Sequence, residues 1–325
     1  MATPEEIQKL LDKRNELRSQ KKYLEADAVR DELDSLGYII KDTPEGTFLV
    51  LKDMPVEKKD SDKPGKLALF GSGETSPTGR KVHEILVKDK IAPIAISLLE
   101  TPAGFEVNPH NWYKKLAAML ETGLQNYKPQ ITVIDALSKD GPHSTNTPES
   151  LQPMLTSDYI HTGAGSPTYA AKHLVGTLAM QYMSDLIEKN VSLSFASAAA
   201  IAIGKHVLPV YEIYKAGDEL HWHTGANFFA KWGMQISIIP HFNNEEGGAD
   251  IDTAFCYMGR VRFEKLIALL PADSVILGID EQTACIFDFD TSKITISGIG
   301  SATVIKDGKQ HVYQSGDTFG FDVLK

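Results

Sequence analysis

The segment Leu193–Gly204, LSFASAAAIAIG, places a single hydroxyl, Ser197, where an apolar β-like run gives way to a helix-like one. A nucleophile elbow needs that arrangement: a strand, a tight turn that strains and exposes the nucleophile, and a helix whose first N–H can stabilise an oxyanion. The residues two positions either side must be small so that strand and helix can approach. Ala199 meets this condition and Phe195 does not. The pattern alone also fits a serine packed between a strand and a helix. Two further groups strengthen the nucleophile reading. His241 follows an apolar run in IIPHFNNEEGG, and Asp280 and Glu281 follow another in ILGIDEQTACIFD. A serine, an imidazole and a carboxylate at strand ends could form a nucleophile, a general base and a group that orients the base.

Other chemistries fit less well. The loop GSGETSPTGR fails the dinucleotide fingerprint because Ser76 stands where Gly or Ala is required. It also fails the P-loop, since Gly79 precedes Arg80 and Lys81 rather than a Lys-Ser/Thr pair. A structural or substrate-facing turn is the better reading. His221 and His223, in HWH, would share a strand face, but no Cys or Asp spacing completes a metal ligand set with them and His241. His161 precedes a second glycine loop, as a pocket-lining or a packed residue. No metal or cofactor is expected.

The elements that must position these groups alternate. KLALF, APIAISLL, ITVIDAL, DYIHT and VSLSFAS read as apolar strands, with helical runs from Pro77 to about Lys88, Asn111 to about Leu124 and Pro167 to Ile187 between them. Repeated β-loop-α units with apolar strands predict an α/β fold, a parallel sheet covered on both faces, with reactive groups at the carboxyl ends of its strands. The last thirty-odd residues change to short strands and turns, which predicts an antiparallel C-terminal edge.

Residues 1–51 differ. Thr3-Pro4-Glu5-Glu6 has the form of a capping box, two helical runs follow, and the second stops at Gly37. YIIKDTPEGTFLVL then reads as a β-hairpin turning on Asp42, Pro44 and Gly46. Residues 52–65, rich in charge and proline, read as a linker, and 66–325 as the α/β domain.

With 325 residues, 42% hydrophobic and 23% charged, the composition is that of a globular protein. A net charge of −10 argues against wholesale wrapping of nucleic acid. Two cysteines, the absence of an apolar signal-like start and the lack of any apolar run long enough to span a bilayer lead us to expect a cytoplasmic protein with no membrane contact.

The N-terminal residues Arg14, Lys21, Ala26-Asp27, Arg30-Asp31, Leu33, Gly37, Asp42-Thr43-Pro44 and Gly46-Thr47 closely resemble the C-terminal module of cysteinyl-tRNA synthetases. The resemblance implies a unit that helps dock the anticodon region of tRNA. Lys13, Arg14, Arg18, Lys21 and Lys22 are opposed only by Glu16 between positions 13 and 22, so one surface is expected to be basic enough for RNA phosphates. The ATP-site signatures HIGH and KMSKS are absent from the chain, so aminoacylation is not implied.

From Lys66 onward, GAGSPTYAAKHL at Gly163 resembles the oxyanion loop of class I glutamine amidotransferases. PHF at 240–242, RVRFEKL at 260–266 and GIDEQTA at 278–284 resemble the cyanophycinase and aspartyl dipeptidase (peptidase E) family. The resemblance implies a three-layer, glutamine amidotransferase-like (flavodoxin-like) fold and serine-type hydrolysis of peptide or isopeptide bonds in aspartate-containing or other acidic substrates. It assigns Ser197 as nucleophile, His241 as general base and Glu281 as its orienting group. Gly165 and Ala198 would be the oxyanion donors, with Arg260, Arg262 and Ser166 binding a small peptide-like substrate. Relatives commonly carry Gly-x-Ser-Ala-Gly at the nucleophile. Phe195 and Ala199 at the two glycine positions predict a reshaped turn. The alternative is a non-catalytic binding protein on the same fold, associated with tRNA through residues 1–51. Oligomeric state is left open, with a homo-oligomer compatible.

Overall fold

A computed structural model describes residues 4–43, 46–51 and 63–325. The N-terminal unit begins with α1 (Pro4–Ser19) and α2 (Tyr23–Ser35), followed by the antiparallel pair β1 (Tyr38–Thr43) and β2 (Gly46–Leu51). Ile7, Val29, Leu33, Tyr38 and Ile40 form its small core. Gly37, at φ +89°, turns the chain out of α2, in a backbone region that L side chains disfavour. The Thr3 cap, Pro44 of the hairpin turn and most of the expected linker lie outside the described residues.

The α/β part opens with β3 (Lys66–Phe70), α3 (Pro77–Val87), β4 (Ala95–Leu99), α4 (Pro109–Gly123) and β5 (Gln130–Ile134). It continues through α5 (Pro148–Leu155), β6 (Tyr159–Thr162), α6 (Pro167–Leu174), α7 (Leu178–Leu186), β7 (Ser192–Ala196) and α8 (Ala198–Ala202). Short elements follow: β8 (His206–Val207), α9 (Val210–Tyr214) and β9 (His223–Thr224). The chain then forms β10 (Ile236–Ile239), α10 (Gly259–Ala268), β11 (Val275–Ile279), β12 (Thr283–Asp288) and β13 (Lys293–Gly298). It closes with β14 (Ser301–Lys306), β15 (Lys309–Gln314) and β16 (Thr318–Gly320).

Eight strands make the main sheet, in the order β16-β13-β12-β3-β7-β6-β4-β5. Its β3-β7-β6-β4-β5 portion is parallel, and β12, β13 and β16 add the expected antiparallel edge. Strand alternation explains why both faces are covered. Leu67 and Leu69 join one core with α5 to α8, while Ala68 and Phe70 join the other with α3 and α4.

Two expectations need correction. The single helix from Pro167 to Ile187 is two helices. Gly176 breaks it at φ +73°, and the Thr177 hydroxyl caps the new start by accepting from the Met180 N–H. The C-terminal strands also do more than edge one sheet. β10, β11, β14 and β15 form a second, four-stranded sheet whose inner residues Ile238, Leu277 and Val304 pack into the larger core. Because β10 and β11 are parallel neighbours with Ile239 opposite Gly278, the residues that follow them emerge at the same edge. Those residues carry His241 and Glu281. Among the described residues no helix is long and apolar enough to cross a membrane.

Candidate active site

Ser197 sits between β7 and α8 at φ 48°, ψ −112°, a conformation that a residue with a Cβ adopts only under strain. Its N–H donates to the Phe70 carbonyl at the end of β3 (3.3 Å), which pins the turn to the neighbouring strand. Ala198 opens α8, so its N–H lies beyond the reach of the helix's own carbonyls. Phe195 does not obstruct this turn. It is fully buried in β7 and meets Phe228 edge-on, with ring centroids 5.7 Å apart, while Ala199 is buried in the same core.

The Ser197 Oγ lies 3.0 Å from His241 Nε2, and His241 Nδ1 lies 2.7 Å from Glu281 Oε1. An ionised carboxylate can only accept, so Nδ1 carries the proton. In the neutral ring, Nε2 is then left as the acceptor for the serine O–H. The Glu281 carboxyl is held below the usual carboxylate range, first by the His241 hydrogen bond and further by Asn244, against a smaller opposing effect of burial. Asn244 Nδ2 donates to Glu281 Oε1 (3.0 Å), and the Glu281 N–H donates to Asn243 Oδ1 (2.8 Å). These two asparagines hold Glu281 in place, and the sequence reading missed them. Their signal was the Asn-Asn pair directly after PHF.

The backbone around His241 is equally constrained. His241 has φ +47°, and its N–H donates to the Gly71 carbonyl (3.1 Å). Phe255, Cys256 and Tyr257 form a left-handed turn at φ 57°, 57° and 68°, whose first two N–H groups donate to the carbonyls of Phe242 and His241. Gly71 explains the first glycine loop. A Cβ there would lie 2.1 Å from the Asp280 carbonyl oxygen, so close backbone approach, rather than phosphate binding, requires the glycine.

Gly165 precedes α6. A Cβ on it would lie 1.9 Å from the Pro102 carbonyl oxygen. Of the three residues expected to bind substrate, Ser166 and Arg262 are otherwise engaged. The Ser166 hydroxyl is buried as the cap of α6, accepting from the Tyr169 N–H at 3.2 Å. Arg262 donates through Nε to the Met258 carbonyl (2.5 Å) and through Nη2 to that of Tyr257 (3.1 Å), bracing the left-handed turn. Arg260 is exposed, with its guanidinium 5.7 Å from the Phe255 ring centre.

Behind the elbow runs a buried polar chain. His83 Nε2 contacts the Glu74 carbonyl (2.9 Å), so it must donate; burial pulls the His83 pKa down to about 4, leaving Nδ1 as an acceptor. The Tyr159 hydroxyl therefore donates to His83 (2.6 Å), the Ser194 hydroxyl donates to Tyr159 (2.5 Å), and His161 Nδ1 donates to Ser194 (2.7 Å). The chain ends at His161 Nε2, buried beside Gly163 with no hydrogen-bond partner. His161 is thus a packed residue that ties β6 to β7. Cys256 and Cys285 are buried free thiols with pKa pushed up by burial, and neither occupies an elbow. The rings of His221 and His223 lie 4.8 Å apart. Among the described residues no group of three or more His, Cys, Asp or Glu could hold a metal.

On the N-terminal unit, Arg14 corrects the expected basic surface. It is buried and pairs through both terminal nitrogens with Asp42 (2.7 and 2.5 Å), joining α1 to β1. Arg18 also reaches Asp42 (2.9 Å). Lys13, Lys21 and Lys22 remain exposed.

Comparison with known proteins separates the two parts. Residues 2–48 match the family model for the cysteinyl-tRNA ligase anticodon binding domain. Over 46 residues the chain is 61% identical to the cysteine–tRNA ligase of Caldicellulosiruptor saccharolyticus, which covers 14% of this chain and only 10% of that enzyme. A peptidase structure from an acI-B1 actinobacterium is similar with a TM-score of 0.64 and 22% identity, covering 80% of this chain and 98% of that one. That likeness carries the fold alone, an α/β architecture shared with that structure.

Proposed function

We propose that residues 66–325 are a serine-type hydrolase of peptide or isopeptide bonds, joined through residues 52–65 to a tRNA-docking module at residues 1–51. The observation that carries the hydrolase reading is the unbroken line Ser197 Oγ–His241 Nε2–Glu281 Oε1, at 3.0 and 2.7 Å, with the serine on a strained elbow. In this reading Ser197 attacks the scissile carbonyl while His241 takes its proton and returns it to the leaving amine. Glu281 fixes the imidazole and stabilises its charged form. The N–H groups of Ala198 and Gly165 hold the oxyanion. Water, activated by the same imidazole, then releases the acyl group. The acidic-substrate expectation rested on Arg260, Arg262 and Ser166. With the hydroxyl and one guanidinium engaged elsewhere and the other exposed, the proposal extends to the bond type and not to an acidic side chain.

A fluorophosphonate probe should label Ser197, with labelling abolished in Ser197→Ala and weakened in His241→Ala. Folded protein that resists the probe would leave the non-catalytic binding reading in its place. The docking reading is favoured by the match over residues 2–48. It predicts salt-sensitive tRNA binding that disappears when residues 1–52 are removed. Equal binding by full-length and truncated protein would make the module structural only.

A further inference from the structure

Strand β3 runs antiparallel to β12, with Lys66 opposite Asp288 and Phe70 opposite Ala284. The pairing carries on past the end of both strands. The Gly71 N–H donates to the Thr283 carbonyl (2.9 Å), and the next position in the same register sets Ser72 against Gln282. There the main chain of Gln282 has left the strand at φ +52°, and its N–H donates to the Ser72 hydroxyl oxygen (3.2 Å). A side chain has taken the place of a main-chain acceptor at the last step of the ladder.

Three consecutive residues at this strand end therefore each accept one N–H from a segment that carries Ser197, His241 or Glu281. The Phe70 carbonyl takes the Ser197 N–H (3.3 Å) and the Gly71 carbonyl takes the His241 N–H (3.1 Å). The Ser72 hydroxyl takes the N–H of Gln282, the residue bonded to Glu281. The segments come from different places: the end of β7 in the main sheet, the end of β10 in the second sheet, and the crossover from β11 to β12 between the two sheets. Asn243 and Asn244 tie Glu281 to the loop of His241, so they fix the carboxylate against the imidazole. The Ser72 contact fastens the residue beside Glu281 to the end of β3, the strand paired with β7. Two residues on, the Glu74 carbonyl accepts from Nε2 of the buried His83 (2.9 Å), so α3 braces the same loop. We propose that Ser72 is a positioning residue of the active site, whose hydroxyl holds the Glu281 segment where the carboxylate can orient His241 toward Ser197. The inference rests on the hydrolase reading and adds a residue to that same site. In this role Ser72 acts through the main chain of Gln282 and not on the substrate. Of the three acceptors it is the one supplied by a side chain, so a substitution can remove it.

The test uses the full-length chain. Ser72→Ala removes the acceptor and Ser72→Thr restores it; Ser72 is only half-buried, so both variants should fold. Fluorophosphonate labelling is followed against probe concentration, which separates kinact from KI. Ser72→Ala should lower kinact by about two- to tenfold, the scale of one neutral hydrogen bond, and leave KI unchanged. Ser72→Thr should recover most of the loss. A contact that served stability alone would lower the melting temperature and leave kinact of the folded protein unchanged. A second measurement needs no catalysis. The His241 Nδ1 proton, held by Glu281 at 2.7 Å, is followed by proton NMR in histidine-labelled protein and assigned by its loss in His241→Gln. Its exchange with water should be faster in Ser72→Ala and return toward the wild-type rate in Ser72→Thr. Unchanged kinact, a change confined to KI, or proton exchange at the wild-type rate in Ser72→Ala overturns the positioning role, while labelling of the wild type keeps the hydrolase reading intact. Wild-type protein that resists the probe overturns the hydrolase reading and the role in catalysis with it, even where proton exchange shows that Ser72 holds Glu281.

Discussion

Replacing Ser197 with glycine and with alanine separates the strain at the elbow from the hydrogen bond to His241. Both variants lose the 3.0 Å contact with His241, so they differ in what the backbone at φ 48°, ψ −112° demands. Alanine keeps a Cβ in a region that is sterically poor for L residues, where the penalty is about 1–3 kcal/mol. Glycine relieves that penalty but adds roughly 0.5–1 kcal/mol of backbone entropy to the unfolded chain. The balance favours glycine by up to about 2.5 kcal/mol. At about 2–4 °C per kcal/mol, the Ser197→Gly protein should melt above Ser197→Ala, by up to several degrees. Differential scanning calorimetry at pH 7 reads the difference, with loss of fluorophosphonate labelling confirming that neither variant retains the nucleophile. Equal melting temperatures, or a more stable alanine variant, would refute the claim that the elbow stores strain. Such strain is expected where a side chain is held out for chemistry rather than for packing.

Glu281→Gln should keep the fold, because the amide oxygen can still accept from His241 Nδ1 and Asn244, but it removes the charge that stabilises the imidazolium. Ser197 labelling should slow by roughly 10²–10⁴-fold in stopped-time assays, and an unchanged rate would remove Glu281 from the site. Asp42→Asn should destabilise the N-terminal unit at pH 7 by about 1–3 kcal/mol, less than a fully buried pair because Asp42 is 43% exposed. Hydrogen bonds from Arg14 hold the Asp42 carboxyl well below the usual carboxylate range. Its contribution is therefore present above its unfolded pKa, near 4, and is lost as pH falls through the depressed folded value. Thermal melts of the β1 and β2 amide signals should show the wild-type advantage at pH 7 and its decline in strong acid. Exchanging Lys13, Lys21 and Lys22 together for alanine should flatten the log–log salt dependence of tRNA binding by about 2–3 units, as measured by filter binding between 50 and 200 mM salt. An unchanged slope would move the RNA contact elsewhere.

The legible parts of this chain were those in which local pattern and tertiary role coincide. KLALF and VSLSFAS are almost wholly buried, so short runs of apolar and small residues without a charged face identify strands of a sheet covered on both sides. The elbow at Ser197 was legible because a strand, a small-residue turn and a helix are contiguous there. The second sheet was not, since a β-strand's sequence carries no label for which sheet it joins. ISII, VILGI and SATVIK would suit either one. The break at Gly176 was also missed, because apolar periodicity continues on both sides of it. Arg14 misled for a related reason: a run of basic residues on a helix looks like a surface until Asp42, 28 positions from Arg14, pairs with both Arg14 and Arg18.

By itself the sequence determined the inventory and its order: an N-terminal unit of two helices and a β-hairpin, apolar strands alternating with helices, and Ser197, His241 and Glu281 at strand ends. Those features depend on residues close together in the chain, where hydrophobic period and turn chemistry act directly. Only the tertiary structure decided that the three groups meet, because they come from two sheets and are separated by 44 and 40 positions. It also decided that Asn243 and Asn244 hold Glu281, that Ser166 and Arg262 are already engaged, and that Ser72 meets Gln282. Each of these is a contact between distant segments. A hydrogen bond of 3 Å is fixed by how the whole core packs, and no local run of residues specifies it.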